Sequence, residues 1–234
     1  MARAALTTDA VVDVALLAID EKGPAALTLS AVADRAGVAT PSLYKHVRNL
    51  AELRDLMSAR IMNEIADQVG EAVLGRSADE AIRALMVAWR HYALRHPHRY
   101  SALVQTPEPH TAEAGARLIN IMLATFRAYG MADSAAIHAA RCLRAAVHGF
   151  AVLETEDAFG LPEKLDESYD LLIHMMITGL RSPRGPAGAE GPPAEHLAGP
   201  RRPQLPRPAG DAPEPPHGTH DVSPFVADSS AIRS

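Results

Sequence analysis

The stretch from Thr28 to Arg48, TLSAVADRAGVATPSLYKHVR, constrains this chain more than any other, because it reads as two short helices folded across one tight turn. Val32, Ala33 and Ala36 place apolar atoms on one side of the first helix. Gly37 then stands where a left-handed residue ends a helix without steric cost. Thr40 is read as the cap of the second helix and Pro41 as its first helical residue, where a missing N–H is no loss. Leu43 and Val47 are four apart and point inward together, while Pro41, Ser42, Lys45 and Arg48 project from the opposite side. Ala33, Gly37 and Leu43 keep the spacing of helix-turn-helix modules. On spacing alone an ordinary pair of core helices fits as well. The front face decides, because Ser42, Tyr44, Lys45 and His46 are donors suited to base edges and phosphate oxygens on a helix too short to bury much.

About seventy residues from the start resemble the DNA-binding domain of the TetR/AcrR family of one-component transcriptional regulators. The opening amphipathic helix, TLSAVADRAGV, TPSLYKHVRN and the apolar helix beginning near Leu50 carry the resemblance, and PSLYKHV is close to the same segment of the tetracycline repressors. It implies that Thr40, Pro41, Ser42 and Lys45 meet bases, that Tyr44 and His46 meet backbone phosphate or thymine methyls, and that Thr28 meets phosphate. Ser30 occupies a place where some relatives read a base with Arg. Leu50 stands where many relatives carry a phosphate-gripping Lys, so that contact is lost or passes to Arg48 or Arg54.

With 234 residues, many of them Ala and Leu and few aromatic, the chain is expected to be all-α. The expected division is a helix-turn-helix head over residues 1–50, a larger helical regulatory and dimerisation domain over 51–181, and a disordered Pro/Gly/Ala-rich tail over 182–234. A formal charge of -5 argues against a generic polyanion binder but leaves room for a small basic reading face. A single cysteine, Cys142, suits a reducing cytoplasm. No secretory leader is read at the N-terminus, and no run approaches the roughly 20 apolar residues a bilayer needs.

In chain order, a helix is expected from Thr8 to Lys22 with Val11, Val14, Ala15, Leu17 and Ala18 as its apolar side, stopped by Gly23-Pro24. A connector follows from Ala51 to about Val69, carrying Leu53, Leu56, Met57, Ile61 and Ile65. Ser77 and Glu80 suggest a capping box for a helix reaching Arg95, with Ile82, Leu85, Met86, Trp89, Tyr92 and Ala93 inward. HPHRYSALVQ begins a short helix closed by Pro107 and Pro109. Further helices are expected over 111–129, 133–159 and 166–180.

RHPHRYSALV after Trp89 and Tyr92, together with VHGFAVLE, resembles a C-terminal regulatory domain named for a Trp-His-Gly motif and found in one branch of these regulators; Val147 replaces the Trp. Read from the residues, Cys142, Ala146, Gly149 and Leu153 make a smooth strip on which another helix can approach, and Leu172, Met175 and Gly179 offer a second such surface. These residues are the expected homodimer interface, as the family resemblance implies; packing inside one subunit is the alternative. A two-fold dimer sets its reading helices about 34 to 36 Å apart, which implies a palindromic double-stranded DNA operator.

Met86, Trp89, Tyr92, Tyr100, Met122, Phe126, His148 and Phe150 are the expected effector-binding residues, being large side chains on different helices, although each also suits plain core. The expected effector is a small apolar or amphipathic molecule that releases a repressor from DNA. No cofactor is expected. His91, His96, His98 and His110, or His138 with Cys142, lack a third and fourth metal ligand. Glycine-rich phosphate loops and nucleophile elbows are missing from the sequence, and the carboxylates read as dispersed over solvated faces. A helical small-molecule enzyme and a protein-only adaptor are the rival classes. In the tail, PRRPQLPRP resembles a proline-rich docking segment and VSPFVADSSAI has some apolar content.

Overall fold

The computed structural model describes residues 6–104 and 108–182, so the expected disordered tail lies outside the described residues. Among the described residues the chain is all-α, with nine α-helices: α1 (Thr8–Lys22), α2 (Leu29–Ala36), α3 (Thr40–Leu43), α4 (Leu50–Val73), α5 (Ala78–Arg95), α6 (Pro97–Ser101), α7 (Pro109–Phe126), α8 (Asp133–Thr155) and α9 (Leu165–Arg181).

Local chemistry sets the first boundaries. Thr7 accepts a hydrogen bond from the Ala10 N–H at 3.1 Å and starts α1, which ends where Gly23 takes φ 77°. The buried face of α1 is Val11, Val12, Ala15, Leu16 and Ile19. The expected stripe therefore needs correction: Leu17 is exposed and Val14 and Ala18 are half-buried, because the helix packs a face turned by one residue against α2 and α4. Thr28 caps α2 through the Ala31 N–H at 3.1 Å. Gly37, at φ 66° and ψ 36°, ends α2 as expected, and the Val38 N–H closes back on the Ala33 carbonyl at 3.0 Å.

α3 departs from the sequence reading. Ala39, not Thr40, is the cap residue, and Thr40 and Pro41 are the first helical positions. The helix stops at Leu43, and Tyr44, Lys45 and His46 form a turn. The His46 and Val47 N–H groups both bond to the Leu43 carbonyl, at 2.8 and 3.0 Å, so Leu43 and Val47 still turn inward together without a continued helix.

Asn49 caps α4 through the Glu52 N–H at 2.9 Å. At 1.5 Å per residue its 24 residues span roughly 36 Å, long enough to pack its start against α1 and the remainder against α5 and α7. One core runs along it, from Val11 in α1 to Leu180 in α9. The 50/51 division expected from the sequence thus falls in the first turn of a helix shared by both parts.

Three further boundaries differ. Pro109 opens α7 instead of closing α6, with Glu108 and Thr111 bonded reciprocally as a cap. Ser77 precedes α5 without a side-chain cap bond. α8 ends at Thr155, four residues early, because Asp157 adopts φ 53° and the Ala158 N–H closes on the Leu153 carbonyl at 2.8 Å. Asp tolerates that left-handed position, so no glycine marks the stop. α9 buries Tyr169, Ile173, Ile177 and Leu180 and turns Leu171 and Met175 outward. Among the described residues no helix is long and apolar enough to cross a membrane.

Candidate functional site

The reading segment is held from behind. Val32, Ala33, Leu43 and Val47 are buried against α1 and the start of α4. A bidentate pair of Arg35 with Glu21, at 2.6 and 2.7 Å, ties α2 to α1, and Arg60 on α4 reaches Asp9 and Asp13 on α1 at 2.9 and 2.7 Å. The Thr8 hydroxyl donates to the His46 carbonyl at 3.4 Å, which ties the turn itself to α1.

In front, Pro41, Tyr44, Lys45 and Arg48 are exposed, and Thr40, Ser42 and His46 are half-buried. Tyr44 is 56% exposed, unusual for a large aromatic beside two buried aliphatics. Ser30 is exposed on the first turn of α2, near Thr28, whose hydroxyl is engaged as the cap. The nine expected DNA-facing residues lie between Thr28, the cap of α2, and Arg48, two residues past the turn that follows α3. Arg48 is partly occupied, because its Nε donates to Glu52 at 3.0 Å. Leu50 is half-buried and packs against the core.

Of the eight expected effector residues, four converge. Trp89, Tyr100, Met122 and His148 line a cavity of about 40 Å³ between α4, α5, α6, α7 and α8. The Trp89 indole N–H donates to the Tyr100 hydroxyl at 3.1 Å, and that hydroxyl lies 2.9 Å from His148 Nδ1. The other four are placed elsewhere. Met86 and Phe126 are fully buried core, Tyr92 donates to Glu64 at 2.6 Å, and Phe150 packs on Phe159 and Tyr169. A space of this size holds about one water, and two residues that line it, Ile119 and Arg144, are exposed, so it lies near the surface beside α7 and α8.

Burial pushes the Tyr100 hydroxyl up to about 12, against the smaller opposing pull of the Trp89 hydrogen bond and the Arg144 charge. Burial, and then the positive Arg144, hold His148 below its ordinary range. Burial and Arg99 do the same to His96. An imidazole whose folded pKa is depressed leaves stability intact above its unfolded value, near 6.5, and removes it as pH falls through the folded value. Thermal stability is therefore expected to decline below about pH 6.5, and His148→Gln should remove part of that decline. An unchanged slope of melting temperature against pH in the variant would contradict this.

Sequence reasoning missed a charged layer between the two ends of the molecule. Arg99 on α6 donates to both carboxylate oxygens of Asp20 on α1, the shortest contact being 2.6 Å, and to Glu64 on α4 at 3.1 Å. His98 Nδ1 lies 3.0 Å from the Asp20 carbonyl oxygen. Asp55, buried on α4, accepts from the His110 and Thr111 N–H groups at 3.1 Å and so anchors the start of α7. Glu154 is half-buried against Arg90, with its side chain 10% exposed. These acids correct the reading of carboxylates as solvated. The available signal was weak, since Asp55 lies across the helix from the Leu53, Met57, Ile61 and Ile65 stripe, where solvent is the ordinary expectation.

The expected interface residues sit on the outer sides of α8 and α9. Cys142 is exposed, Ala146 and Gly149 are half-buried, and Leu153 is 44% exposed, while α8 buries Ala136, Ala140, Leu143, Val147 and Ala151 inward. On α9 Met175 is 61% exposed, Gly179 is exposed and Leu172 is half-buried. A Cβ added at Gly149 or Gly179 would meet nothing within 4 Å.

Comparison with known proteins matches residues 11–55 to a model described as bacterial regulatory proteins, tetR family. Residues 82–176 match a tetracyclin repressor-like C-terminal domain. An uncharacterised HTH-type transcriptional regulator of Mycobacterium tuberculosis is 34% identical over 155 residues, covering 64% of this chain and 71% of the relative. The uncharacterised HTH-type regulator YobS of Bacillus subtilis is 31% identical, covering 76% and 94%. Among solved structures, a TetR variant of Acinetobacter baumannii in complex with minocycline superposes with a TM-score of 0.61 at 21% identity, covering 76% of this chain and 100% of that one. BioQ with its double-stranded DNA operator gives 0.60 at 21%, with the same coverage. At these identities the structural likeness concerns the fold alone.

Proposed function

Since this chain belongs to the TetR family of transcriptional regulators, we propose that it is a homodimeric repressor that reads a palindromic operator and is released by a small amphipathic effector. The observation that carries the DNA-reading assignment is the contrast at the turn: Tyr44 and Lys45 stand in solvent between the buried Leu43 and Val47. Donors placed this way on a rigid back meet base edges and phosphates without reorganising. Thr40, Pro41, Ser42 and Lys45 are assigned to bases, and Thr28, Tyr44, His46 and Arg48 to the backbone or thymine methyls, with Ser30 beside them.

The outward strips of α8 and α9 support a dimer, because exposed apolar side chains flank glycines that let another helix approach. Doubling the head converts a weak module into a specific reader. A fold neighbour on its operator and another with minocycline support both halves of the reading.

α6 supplies the coupling. Its consecutive residues Arg99 and Tyr100 face different ends of the molecule, the first engaging Asp20 of α1 and the second the cavity wall. An effector that opens the cavity moves Tyr100, displaces Arg99 and tilts α1 with the reading turn. A coupling free energy of about 1–3 kcal/mol between the sites follows from such a device. The test is binding of the purified chain to genomic fragments, followed by footprinting. A protected palindrome supports the operator reader, whereas an absence of sequence preference would return the chain to the adaptor or enzyme classes.

A further inference from the structure

We propose that Glu52, on the first turn of α4, is the positioning residue for Arg48: it fixes the guanidinium before DNA arrives and leaves the outer nitrogens free for a phosphate. The inference rests on the assignment of Arg48 to the DNA backbone made above and names the side chain on which that contact depends.

Glu52 stands at the third helical position of α4, where Asn49 is the cap and its side-chain oxygen accepts from the Glu52 N–H at 2.9 Å. A carboxylate at this position ordinarily turns back to the N–H of the cap residue itself. Here it reaches one residue further. Its Oε2 accepts from the backbone N–H of Arg48, and its Oε1 accepts from Arg48 Nε at 3.0 Å. One carboxylate thus grips the backbone and the side chain of the same residue, which sets the direction in which that side chain leaves the chain.

Two features separate this grip from an ordinary surface ion pair. The Glu52 side chain is 17% exposed and that of Arg48 is 80% exposed, so the anchor is covered while the held group stands in solvent. The bond also uses Nε, the nitrogen nearest the chain. Nη1 and Nη2 are left at the outer end, two N–H donors side by side that match the oxygens of a phosphate. Arg48 directly follows Val47, which is buried and whose N–H bonds to the Leu43 carbonyl at 3.0 Å. The guanidinium is therefore carried by the same fixed turn as Tyr44 and Lys45. An unrestrained arginine loses rotamer freedom when it meets a phosphate, whereas one already held has lost it on folding.

The probe is a fluorescein-labelled mixed-sequence duplex at low salt, because a phosphate contact is read on any sequence. Glu52→Gln keeps an oxygen for the backbone N–H and a residue type that serves at this helical position, but its amide cannot also accept from Nε. Glu52→Asp keeps the charge and is one methylene too short to hold both groups. Each is expected to weaken binding about three- to tenfold, with helical circular dichroism and melting temperature retained. Made in Arg48→Ala, the same substitutions should change affinity by less than about twofold, and Arg48→Ala alone should lower the slope of log affinity against log salt by about one per subunit. A residue that only caps α4 would act equally in both backgrounds, and one that only repels phosphate would make Glu52→Gln bind more tightly than the parent. Either result overturns the proposal. An Arg48→Ala variant with unchanged affinity and salt slope overturns it together with the backbone assignment, whereas a loss there without coupling to Glu52 overturns it alone.

Discussion

Replacing Tyr44 and Lys45 together by alanine is expected to lower the operator affinity of the dimer by on the order of 10²- to 10³-fold. Each lost contact to a base edge or phosphate costs about 1–3 kcal/mol, and a symmetric dimer loses each twice; incomplete additivity reduces the total. Folding should be almost untouched, within about 0.5 kcal/mol, since both side chains are exposed and the turn is held by Leu43, Val47 and the Thr8 bond. Separate substitutions distinguish the roles. Loss of a base contact by Lys45→Ala relaxes preference at one operator position, whereas loss of a phosphate contact by Tyr44→Ala weakens all sequences alike. Titration of labelled operator and scrambled duplexes reads both, and a change below threefold in the double variant would remove this turn from the interface.

The largest effect on stability is expected at Arg90. Its Nε and Nη2 donate to the two oxygens of Glu154 at 2.6 and 2.5 Å, and its Nη1 reaches Asp166 at 2.8 Å. The guanidinium also stacks over Tyr169, 4.7 Å from the ring centroid, and over Phe150 at 5.6 Å. Arg90 and Glu154 side chains are only 13% and 10% exposed, so solvent replaces the missing partner poorly. Arg90→Met therefore leaves a largely covered carboxylate unpaired, at a cost of about 3 kcal/mol, the lower end of the range for a fully buried one. For a chain of this size that corresponds to a melting temperature lower by about 6–12 °C. Adding Glu154→Leu should recover most of the loss, because a buried ion pair and a packed apolar pair are often equivalent. A single variant that melts within about 2 °C of the parent would show that water reaches Glu154 after all. The pair also fastens α5 to α8 and α9, so the single variant should dissociate to monomer at higher protein concentration than the parent.

The sequence showed the helical order well because caps and stops are local. Gly23-Pro24 after α1 and Gly37 after α2 act on the nearest backbone groups, with no need of a partner helix; Thr28 before α2 and Asn49 before α4 cap in the same local way but were not read as caps. α3 was overextended for a related reason: inward residues four apart, Leu43 and Val47, satisfy a helix and a hydrogen-bonded turn equally. Burial was harder where two neighbours share a helix. On α1 the chosen stripe omitted Val12, Leu16 and Ile19, all buried, because α2 and α4 together cover a face wider than one stripe. Polar partners across the fold were illegible. Arg99 joins Asp20 and Glu64, residues far apart in the chain, and a charge on a helix gives no sign of whether solvent or another helix faces it. The cavity was half legible: aromatic and sulfur-bearing residues marked the region, but only folding separated Trp89, Tyr100, Met122 and His148 from the packed Met86 and Phe126.

The placement of Arg99 and Tyr100 on a helix of five residues has a consequence for how such a molecule diversifies. In the proposed mechanism the wall that would choose a ligand is written mostly on α4, α7 and α8, while the link to the head is the set of ion pairs from Arg99 on α6 to Asp20 and Glu64. If the proposed effector site is the one the chain uses, substitution at Met62, Gly115 or Met122 would change what the chain answers to without touching how it answers. A lineage can therefore exchange one chemical signal for another in a few steps and keep the same output wiring throughout.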